Sequence, residues 1–281
     1  MRGFSPVFDV PVSRLASWSG RLAWFALAVA LMSIFIVRTG FLEMGPALAT
    51  FGAALVFAAL AILLALGSFV VIWRQGLTGL GRAIGGMMLG ILLLAYPGYL
   101  AYRATKLPAI NDITTDTARP PRFGELARLR PRGTSEYPAR FAALQQKAYP
   151  DIEPLQYDAP AATAYRVSLA IVTKRGWNVI DTQPPAPGRP GDIEAVARTL
   201  IMGFRDDVVV RVSAVGSGSR IDVRSASRYG THDFGANAKR VTSLLSDIDE
   251  AMDDALSAPA HPEAKEKEPP PKKRPAPKRK R

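Results

Sequence analysis

Catalysis needs groups that titrate, attack or grip charge, and this chain offers few of them. It has no cysteine, which excludes thiolate metal sites, cysteine nucleophiles, iron–sulfur clusters and disulfides. Its two histidines are His232 and His261, and His261 lies in the C-terminal tail. A hydrolase or transferase working at a membrane surface would therefore have to combine His232 with Asp206 and Asp207. Ser225 and Ser227 fall in an expected strand, without the sharp strand-to-helix turn that exposes a nucleophilic serine. Nothing matches zinc-ligand spacing or a glycine-rich phosphate loop, so no metal and no cofactor is expected.

Arginines offer more. Two strands, 207–214 and 219–228, flank Val215-Gly216-Ser217-Gly218, which reads as a hairpin turn. With Ser217-Gly218 as its two central residues, Val212 faces Val223, Val210 faces Ser225 and Val208 faces Ser227 on the side that helices would cover. On the other side Asp207 opposes Arg228, Ser213 opposes Asp222, and Arg211 opposes Arg224. Two arginines directly opposite each other repel unless something negative sits between them. Arg198 and Glu194 project the same way from the preceding strand if Ile193, Ala195 and Ala197 point inward. The candidate anion site is therefore Arg198, Arg211, Arg224 and Arg228, supported by Asp207, Ser225, Ser227, Asp233 and Asn237. Guanidinium forks suit phosphate or carboxylate. The alternative is a solvated face whose arginines pair internally with Glu194, Asp207 and Asp222. Asp233 reads as the cap of the last helix with Asn237 in its first turn; otherwise that helix start, with Ser225 and Ser227 nearby, would hold the anion.

The elements that position these residues follow from charge segregation. Between Leu22 and Tyr102 the charged side chains are only Arg38, Glu43, Arg74 and Arg82, while the rest of the 281-residue chain is densely charged. Crossing a hydrocarbon core of about 30 Å takes roughly twenty helical residues, and the runs 22–42, 47–73 and 83–102 suffice. Arg38 can snorkel to the interface, and Trp73, Tyr96, Tyr99 and Tyr102 fall where aromatic belts form. Gly81, Gly85, Gly86 and Gly90 give two Gly-x-x-x-Gly spacings, which suit close helix packing or merely a glycine-tolerant span. The first apolar run continues past Ala28-Val29-Ala30, which favours a retained helix over a cleaved signal peptide. Arg2, Arg14 and Arg21 before the first span, with Arg74 and Arg82 in the second loop, put those segments in the cytoplasm and the soluble domain in the periplasm.

After an N-terminus (1–21) and the membrane region (22–102), residues 103–135 are rich in Pro, Arg and Thr and predict an extended connector. The soluble domain, 136–257, begins with a short helix around 136–149. It continues with a strand (151–156), a helix (161–175) ended by Gly176, further strands at 177–182 and 193–199, the hairpin, and a helix over 234–256. The fold class is a membrane region of three transmembrane helices plus an α+β domain, an antiparallel sheet with helices on one face. The net charge of +12 is concentrated in the Pro/Lys/Arg tail, 258–281, where nine basic residues occupy the last seventeen positions; that composition predicts disorder.

Phe204-Arg205-Asp206-Asp207-Val208-Val209-Val210-Arg211, Arg224-Ser225-Ala226-Ser227-Arg228-Tyr229-Gly230, Asp233-Phe234-Gly235-Ala236-Asn237 and Lys239-Arg240 resemble an uncharacterised bacterial family, domain of unknown function fourteen ninety-nine. Residues 110–116 resemble the approach to that domain in membrane-anchored members. The resemblance covers about half the chain. It implies the domain limits and a bacterial envelope setting, and no activity. The chain therefore reads as a non-catalytic inner-membrane envelope protein whose periplasmic domain binds an anionic ligand or a protein partner. The expected partners are membrane lipids and an anionic envelope polymer or envelope protein; nucleic acid would enter only if the tail were cytoplasmic. A membrane scaffold, with the spans as the working part, is the remaining reading.

Overall fold

The computed structural model describes residues 10–40 and 44–257; the basic tail expected at 258–281 lies outside them. Three helices, α1 (Arg14–Thr39), α2 (Met44–Gln75) and α3 (Leu80–Ala104), are long and apolar enough to cross a membrane. Each begins before the expected apolar run. Ser13 caps α1 by accepting from the Ala16 N–H, and a bridge between Val12 and Thr78 ties the start of α1 to the loop between α2 and α3. α1 is unbroken through Ala28-Val29-Ala30.

The bundle turns its small residues inward and its large ones outward. Ala16, Ala23, Ala26 and Ala30 of α1 and Ala54, Ala58, Ala61 and Ala65 of α2 are buried, while Phe25, Leu31, Leu63 and Leu92 are exposed. Lipid is as apolar as leucine, so association between spans comes from close backbone approach and interhelical hydrogen bonds. Ser19 Oγ donates to the Ala61 carbonyl at 2.8 Å. Of the two glycine spacings, one makes the contact. A Cβ on Gly86 would lie 2.8 Å from the Ser19 carbonyl carbon, and one on Gly90 would lie 2.8 Å from the Ala58 oxygen, whereas Gly81 and Gly85 face open space.

The soluble part adds β1 (Asp112–Thr114), α4 (Glu125–Arg128), α5 (Phe141–Ala148), β2 (Leu155–Tyr157), α6 (Ala161–Lys174), β3 (Asn178–Gln183), β4 (Gly191–Arg198), β5 (Arg205–Val215), β6 (Gly218–Ser227) and α7 (Ala236–Ser257). The sheet is antiparallel throughout, ordered β1-β6-β5-β4-β3, with β2 also on β6. Strand alternation sends Ile193, Ala195, Val208, Val210, Val212, Ile221 and Val223 to one face, where they meet Val172 of α6 and Val241, Leu244, Ile248 and Met252 of α7. Each fully buried Val, Leu or Ile there contributes about 1.5–3 kcal/mol, which fixes the two helices on this face.

Two expectations are corrected. The hairpin turns at Gly216-Ser217, with Val215 paired to Gly218, one residue earlier than expected; Gly216 has φ +61°, a conformation that glycine adopts without a Cβ penalty. Faces are kept but partners move by two, so Arg211 opposes Asp222 and Arg224 opposes Val209. The repelling Arg211/Arg224 pair does not exist. Second, residues 103–135 are no spacer, because β1 pairs with β6 and α4 packs beneath the sheet, with Leu126 fully buried. Three residues of strand inside a proline-rich segment carry no periodicity, and their pairing partner is supplied by tertiary contact.

Candidate functional site

The second sheet face carries Glu194, Asp207, Asp222 and Arg224, all at most 3% exposed. Burying such charge is costly unless each group is paired and hydrogen-bonded. The segment 112–135 supplies Asp112, Arg130 and the α4 backbone as partners and closes the face, and the strands supply the rest. Arg224 forks onto Asp112, with Nε to Oδ1 at 3.0 Å and Nη2 to Oδ2 at 2.8 Å, and donates to the carbonyls of Pro121 and Ser135. Its guanidinium stacks 4.4 Å over the Phe123 ring. Burial raises the Asp112 carboxyl above its ordinary value, and the Arg224 hydrogen bonds and charge oppose that rise.

On one side of this pair, Asp222 and Asp116 take Arg220 and Arg211. On the other, Asp207 takes both Arg228, at 2.7 Å, and Arg130, at 2.8 Å. Glu194 accepts the backbone N–H groups of Gly124 and Leu126 at the start of α4; burial raises its carboxyl, and those two N–H bonds counter it. Of the four arginines expected to form an anion site, Arg211, Arg224 and Arg228 are thus committed to carboxylates of this chain. Asp112, Asp116 and Arg130 were missed, because they lie in the segment expected to be a connector.

The helix-side candidates form a separate network. Asp233 accepts from the Gly235 and Asn237 N–H groups, each at 2.8 Å, which occupies the donors at the start of α7. Burial raises the Asp233 carboxyl and those same bonds lower it. Asn237, fully buried, accepts from Ser225 Oγ and donates to Ser227 Oγ and the Asn111 carbonyl. Arg240 links Ser225 and Asn237 to Asp206. The sequence run containing these residues is therefore explained by the join between sheet, connector and α7. His232 Nδ1 accepts from the Phe234 N–H at 2.9 Å and its ring stacks on Phe234. With Asp206 held by Arg240 and Asp207 by two arginines, the expected acid–base trio is divided among structural partners. Among the described residues no cluster of His, Cys, Asp or Glu could hold a metal ion.

Arg198 has a different environment. In the β4–β5 register it lies directly opposite Arg205, and the Arg228 N–H, just past the end of β6, donates to the Arg205 carbonyl, so three arginines form a row across this end of the sheet. Arg228 is neutralised by Asp207, whereas Arg198 and Arg205 are exposed and, among the described residues, are in no ion pair. This end of the sheet adjoins the membrane helices: Arg205 Nη2 is 3.9 Å from where a Cβ on Gly40, the C-cap of α1, would sit. Arg38 Nη1 donates to the Leu200 and Ile201 carbonyls at 2.6 and 3.2 Å. A groove of about 590 Å³ between Arg103 and α7 is lined by Tyr149, Lys239, Thr242, Ser243, Ser246 and Asp247.

No curated protein matches the chain. Among solved structures, CalU16 from Micromonospora echinospora is similar at 15% identity with a TM-score of 0.27, over 38% of this chain and 74% of that one, a likeness too slight to bear on function. A family model matches residues 112–248, beginning at β1 and so including the segment that closes the second sheet face. The match takes in most of the soluble domain of this chain, and the matching model is the one described as Protein of unknown function (DUF1499).

Proposed function

We propose that the chain is a non-catalytic binding protein of the bacterial inner membrane, whose domain holds an anionic group at Arg198 and Arg205 on its membrane-facing edge. The observation that carries this reading is the direct opposition of those two exposed arginines, with no carboxylate partner among the described residues, on a sheet face where the other arginines have one. Like charges facing each other across strands are destabilising, and an anion between them reverses the sign of the interaction. Two guanidinium forks suit a phosphate monoester or diester, whether from a lipid headgroup or from an envelope polymer. A periplasmic domain fits the cytoplasmic bias of Arg14, Arg21, Arg74 and Arg82. Alkaline phosphatase fused after Leu256 is expected to be active, and a cytoplasm-only fluorescent protein at the same place dark; the reverse pattern would overturn the orientation.

Binding is tested by titrating the detergent-solubilised full chain with inorganic phosphate and with a short-chain anionic phospholipid. Arg198→Ala plus Arg205→Ala is expected to weaken the tighter of the two by tenfold or more. Equal affinity in wild type and double variant would overturn the assignment.

A further inference from the structure

The loop between β4 and β5, residues 199–204, reads Thr-Leu-Ile-Met-Gly-Phe. Leu200 is 91% exposed and Ile201 41%. A soluble surface gains nothing from an apolar residue thrust so completely into water, so an exposed apolar tip needs a partner. The loop is preorganised. The Thr199 N–H donates to the Phe204 carbonyl, the Gly203 N–H to the Thr199 carbonyl, and the Phe204 N–H to Thr199 Oγ1, all at 2.9–3.0 Å. Its location identifies the partner. Arg38, in the last turn of the membrane-spanning α1, grips the Leu200 and Ile201 carbonyls, and Gly203 (φ +71°) lets the loop backbone approach the Arg38 side chain, where a Cβ would meet Cγ at 3.0 Å. Leu200 is thereby held level with the end of a transmembrane helix.

We infer that the β4–β5 loop is a membrane-inserting wedge: Leu200 and Ile201 enter the outer interface of the bilayer while Arg198 and Arg205, at its base, engage headgroup phosphates. An apolar tip ringed by cations is the composition by which a protein segment sits in an anionic lipid interface. The opposite turn of the same sheet has Gly216 and Ser217 at its centre and no apolar side chain there. The wedge fixes the domain at a second point beyond its covalent link to α3, so the domain rides against the bilayer and does not swing on a tether. The ionic half of this inference rests on the anion reading above; the apolar half stands apart from it.

Because the chain has no cysteine, single-cysteine labelling is clean. Leu200→Cys and Ser217→Cys full-length variants, each carrying a nitroxide, would be reconstituted in neutral phosphatidylcholine vesicles and in vesicles with added phosphatidylglycerol. Power saturation compares access of oxygen, which concentrates in lipid, with access of a water-soluble nickel chelate. The label at 200 is expected to favour oxygen and the label at 217 the chelate. Equal chelate access at both positions in both vesicles would overturn the wedge, whatever the phosphate titration gives. A lipid-facing label at 200 whose depth is the same in both vesicles, and unchanged by Arg198→Ala plus Arg205→Ala, would uphold the apolar wedge and overturn the headgroup contact.

Discussion

Replacing Arg224 with methionine keeps an aliphatic side chain of similar reach and deletes the charge. The lost contacts are two charge-assisted bonds to Asp112, two bonds to backbone carbonyls and the stack on Phe123. Removing one partner of a buried pair costs about 3 to 5 kcal/mol, mainly because the other charge stays buried without compensation. With a urea slope of about 2 kcal/mol per molar, the unfolding midpoint should fall by about 1.5 to 2.5 M. Trp177 is the only tryptophan outside the membrane helices, since Trp18, Trp24 and Trp73 lie in α1 and α2, so domain unfolding can be followed by fluorescence with the spans held in detergent. The sign of the pH dependence follows from Asp112. Burial already raises its carboxyl, and losing Arg224 removes the hydrogen bond and the nearer charge that oppose the rise, leaving only the Arg130 charge against it. A carboxyl raised in the folded state binds its proton there more readily than in the unfolded chain, so the variant should regain stability as pH falls and lose it as pH rises through the folded value. Asp112→Asn, which removes the charge with little change in shape, should recover part of the loss when combined with Arg224→Met. A midpoint shift below about 0.5 M, or a deficit that grows on acidification, would refute the claim that this pair holds the closing segment on the sheet.

Burial places the Asp192 carboxyl at about 6 against an ordinary 3.8, with Glu194 and Asp181 adding to the rise and Arg211 and Arg189 opposing it. That gap is worth about 3 kcal/mol at full strength, and solvent screening at a part-exposed group leaves about 1 kcal/mol. The domain should therefore lose about that much as pH rises from 4 to 7, and Asp192→Asn should flatten the profile; urea midpoints across that range check it. In the membrane, Gly86→Val should push α3 off Ser19 and Gly20 and cost about 1–3 kcal/mol, whereas Gly85→Val, facing open space, should be neutral. Unfolding in mixed SDS micelles would read both.

The three spans were legible because apolar length is the strongest signal a sequence carries, and the α+β layout because Gly176, the turn glycines and the α7 spacing mark element ends plainly. Face assignment on the hairpin survived an error of register, since a shift of two partners keeps the two-residue alternation. Partner assignment did not survive it. Val215-Gly216-Ser217-Gly218 offers two adjacent two-residue turns, and only the backbone at Gly216 chooses between them. The closing segment was harder still: Asp112 meets Arg224 across 112 positions, and no local pattern announces that contact. The same gap misjudged the site. Which arginines are paired depends on where Asp112 and Asp116 are delivered, so the sequence placed all four arginines on one face, and among the described residues only Arg198 of the four is in no ion pair.

Arginine-selective dicarbonyl labelling of the full chain, read by peptide mass spectrometry, distinguishes a face sealed by internal ion pairs from an open one, with Arg198 and Arg205 as the exposed arginines that have no ion pair among the described residues. Arg198 and Arg205 should be modified quickly and be protected by phosphatidylglycerol vesicles, while Arg130, Arg224 and Arg228 stay unmodified until the domain unfolds. Modification of Arg224 at the rate of Arg198 in the folded protein would show that the face is open and that the Arg224–Asp112 pair does not seal it.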